Sequence, residues 1–262
     1  MNKATQYRIE EIKKNGYVLD FGNVFNHAFE NYKKIALYGG LIIFVFFVLL
    51  CLLAFGILIA IFGAPAVVDF LKPENLQSEN ISITTLLIIT GTSALASCLL
   101  SPFPAGLIKM AYCAERDEEF HVSTMFEYYK APYFKELFVA TFLVSLTSYM
   151  ISSIINYAQI PALGFVNTMT VSLFTMLMIP LIIFGKLKAA EAIQTSILIV
   201  SKQPLVLLGL IIIGSIATLV GFIGCCIGVF FTFPFIYSLH YAIYSEIIGF
   251  EAEGESESEE KN

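Results

Sequence analysis

Four long stretches without a charged residue constrain the fold of this 262-residue chain more than any other feature. They extend over residues 35–63, 81–108, 137–185 and 203–245. A helix that crosses a bilayer needs about 20 apolar residues. The first two stretches therefore predict one spanning helix each, and the last two, which are longer, predict two each.

Turn residues divide the two longer stretches. Residues 156–164 contain an asparagine, a proline and a glycine, and residues 221–228 contain three glycines, a composition that favours turns. We therefore predict an all-α integral membrane protein with six transmembrane helices. The predicted spans lie near residues 35–62, 82–112, 134–157, 164–187, 204–222 and 229–248.

The composition supports lipid as part of the solvent. Hydrophobic residues make up 57% of the chain and charged residues only 14%, against roughly 25% charged in soluble domains. A water-soluble globule of this size cannot bury so much apolar surface. We expect a polar cytoplasmic leader at residues 1–19 and a membrane domain at 20–250. Residues 251–262, with six glutamates, are expected to form a disordered acidic tail.

The distribution of positive charge predicts the orientation. With six spans, fourteen of the fifteen Lys and Arg residues fall on one side of the membrane, and only Lys72 falls on the other. Lys and Arg accumulate in cytoplasmic loops. Both termini are therefore predicted to lie in the cytoplasm.

Short repeated segments precede the odd-numbered spans. Residues 29–33 read FENYK and residues 126–130 read FEYYK, and both end an amphipathic pattern with apolar residues at helical spacing. A more diverged third copy occupies residues 189–202. The pair Thr124 and Glu127 suggests a capping box for the second copy.

Prolines also recur, since Pro104, Pro180 and Pro234 each lie in an even-numbered span. The chain thus reads as three repeated units, each a cytoplasmic amphipathic helix followed by a membrane hairpin. A proline kink is tolerated inside a membrane helix. We expect the fourth span to leave the lipid at Gly185 and to continue as the third amphipathic helix.

Lysines mark the predicted cytoplasmic interface. Anionic lipid favours each of them by about 1 kcal/mol. Membrane anchoring is the simplest role, and a substrate-binding lysine is the alternative. The predicted interfacial anchors are Lys33, Lys34, Lys130, Lys186, Lys188 and Lys202.

Hydroxyl and amide side chains share faces of spans two, three and four. Such residues usually allow close packing and hydrogen bonds between helices, and the alternative is a partly hydrated cavity for an amphiphile. His240, between Tyr237 and Tyr244 on its face, is a packing group or a functional contact. The possible cavity-lining residues are Thr90, Ser93, Ser97, Ser145, Ser148, Ser152, Asn156, Thr168, Ser172 and His240.

The sequence contains no pattern typical of a catalytic site. It has no HExxH, GxSxG or phosphate-loop motif, and its three histidines are scattered. The five cysteines lie in or beside apolar runs and read as small hydrophobic residues. We therefore predict no enzyme activity, no metal and no cofactor. The expected partners are the lipid bilayer and either another protein or a second copy of the chain, with no nucleic acid.

Two segments carry a resemblance to known proteins. Residues 25–34 fit the pattern FxxAFxxYKK, and Pro180 is followed by the charged junction that ends at Ser196. These segments are similar to a loose group of bacterial six-span membrane proteins. The group includes the membrane domain attached to some glycerophosphodiester phosphodiesterases and several families of unknown function. The resemblance covers most of residues 20–248.

The resemblance implies a bacterial cytoplasmic membrane protein. It carries over no catalytic residue, because the hydrolase site of those fusions lies in a separate soluble domain. Our leading hypothesis is a non-enzymatic scaffold or accessory subunit. The alternative is a facilitator or exporter of a small amphiphilic or lipid-like molecule. A membrane-embedded enzyme that uses His240 and Glu191 is the third hypothesis.

Overall fold

A computed structural model describes residues 3–72, 83–157, 161–224 and 227–250. Within these ranges the chain forms helices and no strand. The predicted acidic tail and the Cys225–Cys226 pair lie outside the described residues. The α-helices are α1 (Lys3–Asn15), α2 (Phe21–Phe62), α3 (Ala64–Phe70), α4 (Ile83–Leu100), α5 (Pro102–Glu115), α6 (Val122–Met125), α7 (Tyr133–Tyr157), α8 (Pro161–Thr175), α9 (Met178–Ile183), α10 (Ala189–Lys202), α11 (Pro204–Val220), α12 (Gly228–Thr232) and α13 (Pro234–Ile247).

Five helical segments of the described chain are long and apolar enough to cross a membrane, which confirms the all-α membrane fold at that level. The sixth predicted span corresponds to α12 and α13, which are interrupted at Phe233 and are 5 and 14 residues long. Six spans and the threefold repeat therefore stay predictions. The five segments are Phe21–Phe62, Thr90–Glu115, Tyr133–Ile155, Ala162–Ile183 and Pro204–Ile223.

Helix α2 joins the first amphipathic segment to the first span without a break. The carboxylate of Asp20 accepts a hydrogen bond from Asn23 N at 2.7 Å and caps the helix. Its 42 residues extend about 63 Å at 1.5 Å per residue, twice the hydrocarbon thickness of about 30 Å. The apolar stretch begins at Ile35, so residues 21–34 precede the part of α2 that is predicted to span the membrane.

The second span is divided at Ser101. Proline at position 102 has no N–H to continue the helical ladder, and α5 begins there as a separate helix. The Ser101 hydroxyl donates to Cys98 O at 2.8 Å, which satisfies a carbonyl next to the break. The polypeptide therefore crosses this region as α4 followed by α5.

The predicted continuation of the fourth span into an amphipathic helix is wrong. Helix α8 ends at Thr175 and α9 ends at Ile183, and the chain turns before α10 begins. Lys186 takes a left-handed backbone conformation with φ +54° in this turn. At Gly185 a side chain would meet Leu181 O at 2.6 Å, so the turn needs a glycine. The helical period of the sequence did not reveal this turn.

The sequence predicted one amphipathic helix for the second repeated segment, and this prediction is wrong. The segment forms the four-residue α6 and a 3₁₀ turn at Glu127–Tyr129. Met125 and Tyr128 are both buried, and a 3₁₀ turn brings residues three apart to one side. The capping box links His121 and Thr124 rather than Thr124 and Glu127. The third segment, α10, is a helix as predicted.

The core lies at the end of the helix bundle that the sequence predicts to face the cytoplasm. There α13 packs against α2 and α5, and the Ser238 hydroxyl donates to Ala28 O at 2.7 Å. The leader is not merely polar, because α1 buries Ile12 completely and Arg8 Nε donates to Ile247 O at 2.9 Å. By contrast, residues 47–62 of α2 are exposed at every position except Cys51.

Candidate functional site

An open groove lies between α7, α8 and α10 in the described chain. Its volume is about 530 Å³, and its walls are mostly aliphatic with three threonines and one glutamine. We call it the α7–α8–α10 groove. Its lining residues are Leu143, Val144, Thr147, Thr170, Val171, Phe174, Thr175, Ala190, Ile193, Gln194 and Ile197.

Helix α10 forms one side of the groove, and three hydrogen bonds hold it in place. The Ser196 hydroxyl donates to Phe174 O at 2.7 Å and accepts from Leu177 N at 3.3 Å. Ser196 thus pairs with two backbone groups that lose their helical partners where α8 ends and α9 begins. Left unpaired and buried, these groups would cost free energy. At the start of α10, Ala189 N donates to the Glu136 carboxylate at 2.8 Å.

The threonines add polar hydroxyl groups to the groove, which has no charged lining residue among those named. Thr147 and Thr175 donate their hydroxyl hydrogens to the carbonyls of Leu143 and Val171, at 2.8 and 2.7 Å. Each hydroxyl oxygen still has a lone pair for a ligand donor. The groove therefore presents an apolar trough with a few weak polar contacts, which suits an amphiphile better than an ion.

The residues predicted to line a cavity do not line this groove. Ser97 and Thr168 donate to carbonyls of their own helices. Between helices, Asn167 Nδ2 donates to Ser152 Oγ at 3.0 Å, as expected for helix packing. The side chain of Asn156 lies outside the described part of the structure. The predicted serine and threonine positions lie on three helices: Thr90, Ser93 and Ser97 on α4, Ser145, Ser148 and Ser152 on α7, and Thr168 and Ser172 on α8.

His240 lies on α13, away from the groove. Its ring meets Tyr237 edge to face, with centroids 6.3 Å apart. Tyr244, the other predicted neighbour, is buried and packs against Phe184 with a centroid distance of 5.4 Å. This geometry is compatible with the packing interpretation of His240.

The predicted lysine anchors occupy different environments. Lys34 donates to Ala114 O and to Asp117, both at 2.7 Å, and so joins α2 to the end of α5. Lys202 donates to Lys13 O at 3.1 Å. The remaining anchors are Lys33, which pairs with Glu30, and the exposed Lys130, Lys186 and Lys188.

Outside the groove, one histidine and two carboxylates connect three helices. His27 on α2 contacts Glu115 of α5 through Nε2 at 2.8 Å and Glu246 of α13 through Nδ1 at 3.1 Å. Because both ring nitrogens face carboxylates, the imidazolium can donate to both. The hydrogen bond with Glu115 raises the pKa of His27 above its ordinary value, and Glu246 adds to this effect, while partial burial opposes it.

The groove residues were mostly missed by sequence reasoning. Thr175 shares the predicted polar face of α8, but Thr147 and Thr170 lie on other faces. A groove built from α7, α8 and a helix beyond a turn has no single sequence period. The available signal was the helical spacing of apolar residues over residues 189–202, which predicts an interfacial helix there.

Within the described residues the fold is all-helical, and five of its segments are long and apolar enough to cross a membrane, which indicates a membrane protein. No protein-family model matches the chain, and neither does any curated protein or solved structure compared with it. The assignment of a specific activity therefore depends on the geometry of the groove.

Proposed function

We propose that this chain is a non-enzymatic, multi-pass protein of a bacterial cytoplasmic membrane that binds an amphiphilic or lipid-like molecule and facilitates its movement. The observation that supports this most directly is the α7–α8–α10 groove. Its volume of about 530 Å³ falls within the usual 300–1,000 Å³ of small-molecule sites. Its aliphatic walls suit an acyl chain, which gains free energy from burial in proportion to its apolar area.

The position of the groove supports entry from one leaflet. Helix α10 is amphipathic and exposes Ala190, Gln194 and Ile197 on the groove side. An amphipathic helix of this kind lies at the membrane interface. The asymmetry of Lys and Arg favours the cytoplasmic side for α10 and for both termini. An amphiphile of the cytoplasmic leaflet would then enter the groove laterally.

Filling the groove tests this proposal. In Thr170→Trp the indole would occupy the space between α7 and α8. We expect labelling of the purified protein by a photoactivatable long-chain lipid in nanodiscs to fall about tenfold, equivalent to about 1.4 kcal/mol. The matched control is Thr168→Trp, because Thr168 is exposed on α8 and does not line the groove.

The control variant should label like the unmodified protein. Both variants are compared at equal amounts of folded protein, measured by gel filtration and thermal unfolding. Folded Thr170→Trp that labels at the unmodified level would contradict the proposal.

A scaffold or accessory-subunit role is the second candidate, favoured by the outer part of α2. Residues 47–62 are exposed on all faces, apart from Cys51, over more than four helical turns. A partner helix, from another protein or a second copy, would cover this surface. A photocrosslinking residue at Leu53 should then yield a protein adduct in membranes, whereas one at the exposed Leu205 of α11 should not. Lipid adducts alone at both positions would remove this candidate.

A further inference from the structure

We infer that the occupant of the α7–α8–α10 groove is an anionic lipid of the cytoplasmic leaflet, with an acyl chain in the groove and its headgroup beside Lys135 and Lys188. This inference depends on the proposed function, since it specifies the ligand of the same site. A membrane lipid fits better than a soluble anion, because the groove is mostly apolar and two of its three helices, α7 and α8, are long and apolar enough to cross a membrane.

The headgroup position follows from the contact between α7 and α10. The 2.8 Å hydrogen bond from Ala189 N to Glu136 joins the first turns of the two helices. Lys135 precedes Glu136 and Lys188 precedes Ala189, and both lysines are exposed. Ala190, the next residue along α10, lines the groove. The two lysines therefore flank the contact between α7 and α10, near the end of the groove that begins at Ala190.

The charges around this end favour an anion. Lys186 is also exposed and lies two residues before Lys188. Of the carboxylates nearest to these lysines in sequence, Glu136 accepts a hydrogen bond from Ala189 N, and Glu191 lines a second groove, between α10 and α1, together with Lys13. Neither Lys135 nor Lys188 forms a salt bridge within the described residues. Their positive charge is available to a phosphate group.

The tail position follows from distances along α7. Thr147, which lines the groove, lies twelve residues beyond Lys135, or about 18 Å at 1.5 Å per residue. Half of a bilayer's hydrocarbon core is about 15 Å thick. A headgroup at Lys135 therefore places the end of an ordinary acyl chain near Thr147 and Thr170. Leu143 and Val171 would contact the middle of that chain.

Alternative ligands fit less well. A soluble organic anion would gain little from the long aliphatic walls, and a zwitterionic lipid would gain little from the lysines. Lysine acts as a point charge toward phosphate rather than through a fixed hydrogen-bond geometry. The site should therefore discriminate by headgroup charge more than by headgroup shape.

The experiment compares two lipid probes with the same photoactivatable acyl chain, phosphatidylglycerol and phosphatidylcholine, in nanodiscs containing the full-length protein. We expect the unmodified protein to be labelled about ten times more by phosphatidylglycerol, with the label mapping to residues 190–197 or 143–147. The variant Lys135→Gln/Lys188→Gln should lose this preference while its labelling by phosphatidylcholine is unchanged. The control is Lys33→Gln/Lys130→Gln, which removes two other exposed lysines.

The outcomes separate this inference from the proposed function. Equal labelling of the unmodified protein by both lipids would overturn the anionic assignment. So would a preference that survives removal of Lys135 and Lys188. If Thr170→Trp still lowers labelling about tenfold in either case, the lipid-binding function stands and only the headgroup assignment fails. If Thr170→Trp leaves labelling by both lipids unchanged, both proposals fail.

Discussion

Replacing Gly106 with alanine should destabilise the folded protein by about 3 kcal/mol, the upper end of the range for overpacked cores. Gly106 lies on α5 where α6 crosses it. A Cβ atom at this position would lie 2.6 Å from Met125 Cα and 2.8 Å from Met125 C, and would also overlap Met125 O. All three atoms belong to the backbone, so no side-chain rotation relieves the contact.

Thermal unfolding in mild detergent measures this effect. The matched control is Gly91→Ala on α4, because nothing lies within 4 Å of a Cβ atom at Gly91. Alanine is a better helix former than glycine by about 1 kcal/mol, so the control should be neutral or slightly more stable. Equal stability of Gly106→Ala and the unmodified protein would show that α5 and α6 do not meet this closely.

Stability should also depend on pH through His27. The His27 side chain is 19% exposed and contacts Glu115 and Glu246, which raise its pKa in the folded state. Raising the folded pKa above the unfolded value of about 6.5 stabilises the protein most below that pH. The contribution disappears as the pH rises through the folded pKa. The unmodified protein should therefore unfold more easily at pH 9 than at pH 6.

The variant His27→Gln isolates this contribution. We expect it to lose about 1.5 kcal/mol at pH 6, the lower end for hydrogen bonds to charged groups, and to show a flatter pH dependence. His121→Gln is the control, since the side chain of His121 is 72% exposed and lies 3.9 Å from Glu119. A pH profile of His27→Gln that parallels the unmodified profile would exclude this role of His27.

Hydrophobic periodicity predicted the helical fold well because lipid requires long apolar helices. It located five segments that are long enough to cross a membrane and the helix α10. It failed where local geometry depends on contacts distant in sequence. The turn at Gly185 avoids a collision with Leu181 O, and the 3₁₀ turn after α6 buries Tyr128. Neither requirement is visible in a repeating pattern of apolar residues.

The site was harder to predict than the fold. Polar residues on a single helix face were visible in the sequence, but several of these hydroxyls donate to carbonyls of their own helix, as Ser97 does. The groove instead combines Thr147, Thr170 and Gln194 from three helices. The groove exists because the chain turns near Gly185 and α10 then packs against α7 and α8. The sequence pattern did not reveal this turn.

The contact between the first and last long helices has a consequence for biosynthesis. Ser238 donates to Ala28 O, and Tyr32 donates to Phe231 O at 3.2 Å, so the inner face of α2 is covered by a segment that is translated much later than α2. During insertion some 200 further residues must emerge from the ribosome before α2 can contact α12 and α13. A translocon, a chaperone or lipid must shield that face in the meantime, and nascent chains that stop short of α13 would be natural targets for membrane proteases.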